Sequence, residues 1–483
     1  MTTAPTHVSP APAARAASAE VTAIDTTARG PLLFLLGSGI VWLVVSGVLA
    51  LITSIQLHSP HFLEDCSCLT FGRAQALAQT AFVYGWLGNA GAAIALWLLG
   101  RLGGAPLRAL NWVLVGALFW NAGVTAGLVG IGVGDMTSFS LLQLPRYVQP
   151  LLLFAWAAMA IAGVLAWSGR HRDHTFASQW YAVGALFLFP WLLSAAQVVL
   201  IWAPVRGTLQ AVAANWFAQS LWSLWLAPIA LAAAYYLVPK VSGRVLPSYR
   251  LFAALGFWTL IVIGPWTAGR HLIGGPVPAW IATIAVAASV ALLFHYLVLV
   301  LNLRVAVGAG GTAGKFVTFG LGAYVLGGVL DALTSFRGVA VETQFTVIDP
   351  ALEQLALYGA ISMLFFGAIY FMVPRLTGRA WTSSGLTLGH RFLVKIGLVI
   401  LLVSLGVGGW TQGVDLLNAK TGFADILGHL NLCLLAASAA QLVLLAGNLL
   451  LAVNFFQSIC VWSAAPAPAE NYLEAAAVEA RVS

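Results

Sequence analysis

Twelve runs of apolar residues, each long enough to cross a lipid bilayer, follow one another along the chain. A helix needs about 20 apolar residues to cross about 30 Å of hydrocarbon. The predicted spans are 31–54, 76–100, 106–132, 147–168, 177–203, 214–238, 250–270, 277–302, 316–336, 350–374, 391–411 and 430–458. Charged residues make up only 8% of the chain, whereas they make up about a quarter of soluble domains. The pattern therefore excludes a soluble domain and predicts an all-α, polytopic membrane protein with twelve transmembrane helices.

The basic residues divide unequally between the two sides of this predicted topology. If the N-terminus is cytoplasmic, 16 of the 22 Lys and Arg residues lie in the inner loops and tails, and 6 lie outside. Because inner loops are enriched in Lys and Arg, this bias predicts a multi-pass protein of the inner (plasma) membrane with both termini cytoplasmic. The net charge of +7 does not indicate nucleic acid as a partner, because the basic residues lie between apolar runs.

The sequence predicts one domain between two tails. Residues 1–30 are rich in Ala, Thr and Pro without apolar periodicity, which predicts a disordered cytoplasmic tail. Residues 31–462 form the predicted twelve-helix transmembrane domain, and residues 463–483 form a short acidic cytoplasmic tail. No internal repeat is evident in the sequence.

Three short motifs have ordinary structural interpretations beside functional ones. Cys66 and Cys68 in the first outer loop are spaced more closely than a C-x-x-C pair, so unpaired or structural cysteines are favoured over a disulfide or metal pair. The run Gly-Gly-Thr-Ala-Gly-Lys at 310–315 departs from a phosphate loop at two positions, which predicts a flexible inner loop. His295 is isolated in its span, and a hydrogen-bonded polar residue between helices is the favoured interpretation.

An ordered set of segments carries a resemblance to a known family. Order and spacing are kept along the chain in the segments 71–73, 84–90, 235–240, 248–251, 257–258, 355–359, 367–370 and 373–379. Together they resemble subunit I of the haem-copper oxidases, closest to the C-type (cbb) cytochrome c oxidases and nitric-oxide-reductase-like relatives. The resemblance implies the three-pore helical arrangement of cytochrome c oxidase subunit I.

The resemblance also implies six histidines that hold two haems and a copper ion, and most of them are replaced here. The family's low-spin haem ligands fall on Ala78 and Gln354, and its high-spin haem ligand falls on Leu352. The copper ligands fall on Gln219, Arg270 and His271, of which only His271 is a histidine. The side chains of Ala and Leu offer iron no lone pair, and Arg stays protonated in proteins. We therefore predict no cofactor for this chain, although the family would imply haem b and copper.

Two acids lie at the depth of the vacated ligand positions. Asp331 and Glu353 are predicted to form a polar cluster with Gln219, Arg270 and His271. Ionisable groups inside a membrane are costly and are usually paired. We therefore predict that Asp331 or Glu353 pairs with Arg270 in place of the metal.

Three functions are compatible with the sequence. The favoured one is a haem-free, non-catalytic membrane subunit of a respiratory electron-transfer complex. Its expected partners are the lipid bilayer and other respiratory subunits, with a c-type cytochrome subunit as one candidate. One alternative is an active terminal oxidase or nitric oxide reductase with atypical ligation, so enzymatic activity stays open. The other alternative is a transporter that reuses the scaffold.

Overall fold

The computed structural model describes residues 12–464 except Arg172 and Asp173, and its described part contains the twelve predicted membrane helices. Each predicted span lies within or overlaps one observed helix, so the predicted number and order are confirmed. The helices, labelled α1 to α12, are Glu20–His58, Phe71–Gly103, Leu110–Val133, Gln149–Ser168, Ala177–Trp202, Thr208–Ser242, Tyr249–Leu272, Ala279–Ala306, Gly311–Ser335, Ile348–Thr377, Ser384–Leu417 and Phe423–Val461.

The first helix extends further towards the N-terminus than the hydrophobicity pattern predicted. Its helical conformation begins at Pro12, so residues 12–30 are helical where a disordered tail was expected, and residues 1–11 of that expected tail lie outside the described residues. The carboxylate of Asp25 forms an ion pair with Arg101 on α2 and accepts a hydrogen bond from Trp97 Nε1 at 3.0 Å. Because the charge of Asp25 is compensated in this way, α1 can extend beyond the apolar run towards the N-terminus. The predicted C-terminal tail, 463–483, lies almost wholly outside the described residues.

Even spans leave both ends of the described chain at one face of the bundle, which we call the terminal face. Arg379 on this face donates to the backbone carbonyl of Val461 at 3.2 Å, near the end of α12. Cys66 and Cys68 lie at the opposite face, as free thiols with their Sγ atoms 3.1 Å apart. The run at 310–315 lies at the terminal face. It is not the flexible loop predicted from the sequence, because α9 begins at Gly311.

Three helices form the centre of the bundle, and the other nine surround them. In α2, α6 and α10, 94% of the most apolar stretch is buried, against 33–50% in the other nine helices of the described chain. Small residues make this close packing possible. For example, α2 contains Ala90, Gly91, Ala92 and Ala93 in succession, all buried. An Ala or Gly surface lets neighbouring helix backbones approach closely in a membrane.

The three central helices are structural repeats of one another, which the sequence analysis missed. Each changes from α to π geometry near its middle, at Ala81–Leu87, Leu221–Leu226 and Leu355–Ser362. Each also ends at a glycine in the left-handed region, Gly104, Gly243 or Gly378, with φ between 65° and 70°. Glycine terminates helices readily in this conformation, because it has no Cβ to clash with the backbone.

An aromatic triad joins the three repeats near the terminal face. The rings of Trp97, Tyr236 and Phe371 lie 5.3–6.2 Å apart, one from each central helix. Four residues after each ring, a basic residue places its charge over that ring: Arg101, Lys240 and Arg375. The repeat is therefore visible in the sequence as an aromatic residue, three residues, a basic residue, two residues and glycine.

The central helices divide the interior into three compartments, which agrees with the expected three-pore arrangement. The compartment between α2 and α6 is filled by aromatic rings, including Trp120, Trp156, Phe189 and Trp225, with Phe189 stacked on Trp225 at 4.0 Å. The other two compartments contain cavities, one between α10 and α2 and one between α6 and α10.

We predict that removal of the buried acid of α1 destabilises the fold. In Asp25→Ala, the buried Arg101 guanidinium loses its carboxylate, which should cost about 3–5 kcal/mol of unfolding free energy. Denaturant unfolding in detergent measures the change. Combining Asp25→Ala with Arg101→Met should recover part of it, whereas Glu20→Ala, an exposed acid of the same helix, should have little effect. Equal destabilisation by both acid-to-alanine variants would contradict the assigned pair.

Candidate functional site

Helix α10 separates the two cavities and contributes residues to both. Leu352, Glu353 and Gln354 lie in its first α-helical segment, Ile348–Gln354, directly before the π segment. Glu353 lines both cavities. Single-turn π segments inside α-helices occur frequently at functional sites. Ala78 and Gln219 also lie two or three residues before the π segments of α2 and α6.

The α10–α2 cavity contains both positions that the resemblance assigns to the low-spin haem ligands. Its volume is about 250 Å³, and Ala78 and Gln354 both line it. Glu353 accepts a hydrogen bond there from Gln79 Nε2 at 3.2 Å. Gln79 Oε1 in turn accepts from Gln143 Nε2 at 2.6 Å. This cavity therefore contains a carboxylate that accepts a hydrogen bond from one side-chain amide, which in turn accepts from a second amide.

The α6–α10 cavity, of about 470 Å³, contains the remaining positions. It is lined by Gln219, Arg270, His271, Asp331, Leu352 and Glu353, among others. The structure thus brings together the whole predicted polar cluster, together with the position assigned to the high-spin haem ligand. Four helices contribute these side chains, because α7, α9 and α10 converge on α6 towards the face opposite the termini.

Arg270 forms an ion pair with Asp331, which confirms the predicted pairing and selects one of the two acids. The pair joins α7 to α9, with 11% of the Arg270 side chain and 25% of the Asp331 side chain exposed. Arg270 also donates from Nη1 to Thr334 Oγ1 at 3.4 Å. Glu353 instead pairs with Gln79. Since guanidinium is always charged, the pair fixes a positive charge at the position where the resemblance places a copper ligand.

The side chains around the two cavities do not fit a haem-copper centre. Ala78 and Leu352 have no donor atom for iron, and the Arg270 guanidinium is engaged by Asp331. Among the residues that the structure describes, no group of three or more His, Cys, Asp or Glu side chains is arranged to hold a metal ion. Haem and copper in proteins need imidazole, thiolate or similar ligands. The two cavities lie where the resemblance places the haem-copper centre. The polar groups that line them instead form an ion pair and amide hydrogen bonds.

Sequence reasoning missed one acid of the α6–α10 cavity. Asp349 also lines it, one turn before Glu353 on α10. The predicted span began at residue 350, so Asp349 was counted with the loop. An acidic residue in the first turn of a helix, where Asp349 lies, is favourable to the helix dipole and was an available signal. The cavity therefore has three carboxylate residues against one arginine.

His295 has the structural role that its isolation predicted. Its ring is fully buried, with Nδ1 2.8 Å from the Gly256 carbonyl and Nε2 3.0 Å from the Tyr324 hydroxyl. These contacts join α8 to α7 and α9. Both ring nitrogens are occupied, so His295 supplies no open ligand to the neighbouring cavity.

The fold and the two cavities define a class of protein: a twelve-span membrane protein organised like the catalytic subunit of a respiratory oxidase. The chain belongs to the family described as Cytochrome C and Quinol oxidase polypeptide I, whose profile matches residues 31–463. This places it in the haem-copper oxidase subunit I superfamily.

Individual relatives agree with this membership. The chain is 23% identical to the cbb3-type cytochrome c oxidase subunit CcoN1 of Stutzerimonas stutzeri over 389 residues, covering 78% of this chain and 82% of that one. It is 24% identical to cytochrome c oxidase subunit 1 of Rhodobacter capsulatus over 447 residues, covering 86% and 83%. A solved haem-copper terminal oxidase dimer shares the fold with a TM-score of 0.69 at 15% identity, covering 92% and 86%.

We predict that Arg270→Ala destabilises the protein by leaving Asp331 without its partner, by about 3 kcal/mol. Thermal unfolding in detergent measures the effect. The double variant Arg270→Ala/Asp331→Ala should recover part of the loss, because it removes the unpaired charge. Arg337→Ala, an exposed arginine near the same face, is the matched control. Additive losses in the double variant would show that the two residues stabilise the fold independently.

Proposed function

We propose that this chain is a haem-free, non-catalytic membrane subunit of a respiratory electron-transfer complex. The observation that carries the proposal is the Arg270–Asp331 ion pair, which lies in the cavity where the family resemblance places haem and copper. A cationic side chain repels a metal ion. The ion pair also links α7 to α9.

The partners follow from the same reasoning. A non-catalytic subunit of an electron-transfer complex acts through the subunits that it contacts. We propose other respiratory subunits as partners, with a c-type cytochrome subunit as the expected electron carrier. The relatives named above are described as subunits of cytochrome c oxidases, which supports a multi-subunit setting.

Spectroscopy and metal analysis of the purified protein test the proposal. We expect no Soret band in the separated chain and less than about 0.1 iron or copper per chain, because single good ligands bind such metals weakly. A reduced-minus-oxidised spectrum of the complex should assign any haem to a partner. The control is a histidine-bearing relative, such as the cbb3-type subunit, purified in the same way.

Two outcomes would contradict the proposal. Two haems bound stoichiometrically to this chain would favour the alternative of an active oxidase or nitric oxide reductase with atypical ligation. Oxygen or nitric oxide consumption that is lost in Arg270→Ala but retained in Arg337→Ala would do the same. A haem located on a separable partner subunit would leave the proposal standing.

We further propose that the terminal face is cytoplasmic and that the membrane is the inner, or plasma, membrane. The support is the excess of Lys and Arg that the predicted topology places in the loops and tails of this face, 16 against 6. By the positive-inside rule, a bias of this size orients a multi-span protein.

Labelling of the cysteines tests this orientation. In intact spheroplasts, a membrane-impermeant maleimide should label Cys68, which is exposed at the face opposite the termini. The hydrogen bond that the Cys68 thiol makes to Cys66 raises the pKa of Cys68, so that less thiolate is present at neutral pH and labelling should accelerate as the pH rises. Cys66→Ala should accelerate labelling at pH 7. Labelling only after permeabilisation would reverse the orientation.

A further inference from the structure

A third cavity, of about 720 Å³, opens at the terminal face, far from the α6–α10 cavity. It lies between the N-termini of α9 and α11 and the C-terminal end of α10. Its lining contains two arginines, Arg375 and Arg391, and contains no acid. We call it the α9–α11 pocket. Arg375 interacts electrostatically with the Asp25 carboxylate, so Arg391 is the cation of the lining that favours an anionic ligand.

The two arginines differ in how they are held. Arg375 donates to the Phe371 carbonyl at 2.7 Å and stacks on the Phe371 ring, as part of the central triad. Arg391 has no hydrogen-bond or ion-pair partner within the described part of the chain. It is partly exposed, and no acid that lines the pocket neutralises its charge. A partly buried guanidinium without a counter-ion is an anchor for carboxylate or phosphate.

The backbone adds to this positive potential. Residues 310–313, which begin α9, line the pocket, and the N-terminus of α9 has no side-chain cap. The first backbone N–H groups of α9 therefore have no side-chain acceptor among the residues that the structure describes. Helix N-termini with free amides favour phosphate. The Gly-Gly-Thr-Ala-Gly-Lys run at 310–315 thus contributes a phosphate-binding element without being a nucleotide loop.

An apolar groove continues from the pocket along the outside of α11. Leu388 and Arg391 line both the pocket and the groove, which has a volume of about 360 Å³. The groove is formed by Leu388, Phe392, Ile396 and Val399, and these side chains are 39–62% exposed on the lipid-facing surface. Their spacing of three or four residues places them on one side of the helix. An acyl chain can pack along such a stripe, whereas a free inorganic anion gains no favourable contact from it.

Lys395 lies where the groove meets the first turns of α9. It lines the groove, and its Nζ donates to the Lys315 carbonyl at 2.8 Å, at the start of α9. The lysine stem thus lies along the apolar surface while its charge is directed to the same helix end as Arg391. Basic side chains at the membrane boundary of an intramembrane pocket are typical of sites for acidic lipid headgroups.

We propose that the α9–α11 pocket and its groove bind one anionic phospholipid. Its phosphate contacts Arg391 and the N-terminus of α9, and one acyl chain lies along Leu388, Phe392 and Ile396. The site is independent of the α6–α10 cavity, so it stands whether or not the chain binds haem. It links α9 and α11 at the terminal face through a lipid that is part of the folded protein.

Lipid analysis and reconstitution test the proposal. The full chain is purified in mild detergent, and co-purifying phospholipids are quantified by mass spectrometry. Wild type and Arg250→Gln should retain about one anionic phospholipid per chain. Arg250 is an exposed arginine that begins α7 at the same face and lines neither the pocket nor the groove. Arg391→Gln should reduce the retained anionic lipid by about tenfold, the loss expected for one charge-assisted contact.

A second measurement separates the possible ligands and does not depend on any variant folding. Wild-type protein in nanodiscs of phosphatidylcholine alone should unfold at a lower temperature than in nanodiscs containing phosphatidylglycerol. Inorganic phosphate added to the phosphatidylcholine nanodiscs should not reproduce the difference. Full stabilisation by phosphate would assign the pocket to a soluble anion and overturn the lipid proposal. Equal stability in both lipids, or equal lipid retention in Arg391→Gln and Arg250→Gln, would overturn it as well.

The groove has its own test. Ile396→Asn places a polar group where an acyl chain would lie and leaves the charges of the pocket unchanged. It should weaken lipid retention while leaving any phosphate binding intact. Val403→Asn, an exposed apolar position on the same helix beyond the groove, is the matched control. Equal effects of the two variants would remove the groove from the site.

Discussion

Charge matching inside a hydrocarbon bundle governs this structure. Moving an unpaired ion from water into low dielectric costs several kcal/mol even after relaxation. The protein places a carboxylate beside a guanidinium at each end of the bundle, Asp25 with Arg101 and Asp331 with Arg270. The first pair fastens the start of α1 to a central helix, and the second fastens α7 to α9. Each pair compensates a charged side chain that lies largely buried between helices.

The sequence was sufficient for the number and order of the helices, because length and apolarity decide whether a segment spans a bilayer. It was also sufficient to place Arg270 near an acid, since an intramembrane charge demands a partner. The choice of Asp331 over Glu353 was not predictable. It depends on where the side chains of α9 and α10 point, and Gln79 on α2 had already engaged Glu353.

Other features were missed for identifiable physical reasons. Asp25 lies outside the apolar run, so hydropathy assigned it to a tail, although its partners are on α2. The threefold repeat was missed because its signal is carried by only three positions in eight, such as Trp97, Arg101 and Gly104. The other residues of the three central helices are not the same in all three and do not repeat this pattern. A repeat of this kind becomes visible only when the rings are seen to meet around one axis.

The π segments of α2, α6 and α10 have a consequence for how the interior tolerates insertions and deletions. An α-helix turns by about 100° per residue, and a π turn accommodates one residue more than an α turn. Deleting a single residue from Leu355–Ser362 would let α10 close into a regular helix and rotate Glu353 by that angle relative to Tyr370. The terminal-face triad and the two cavities lie on opposite sides of these segments. The rotation of the triad relative to the cavities, about the axis of each central helix, is therefore set by one additional residue in that helix.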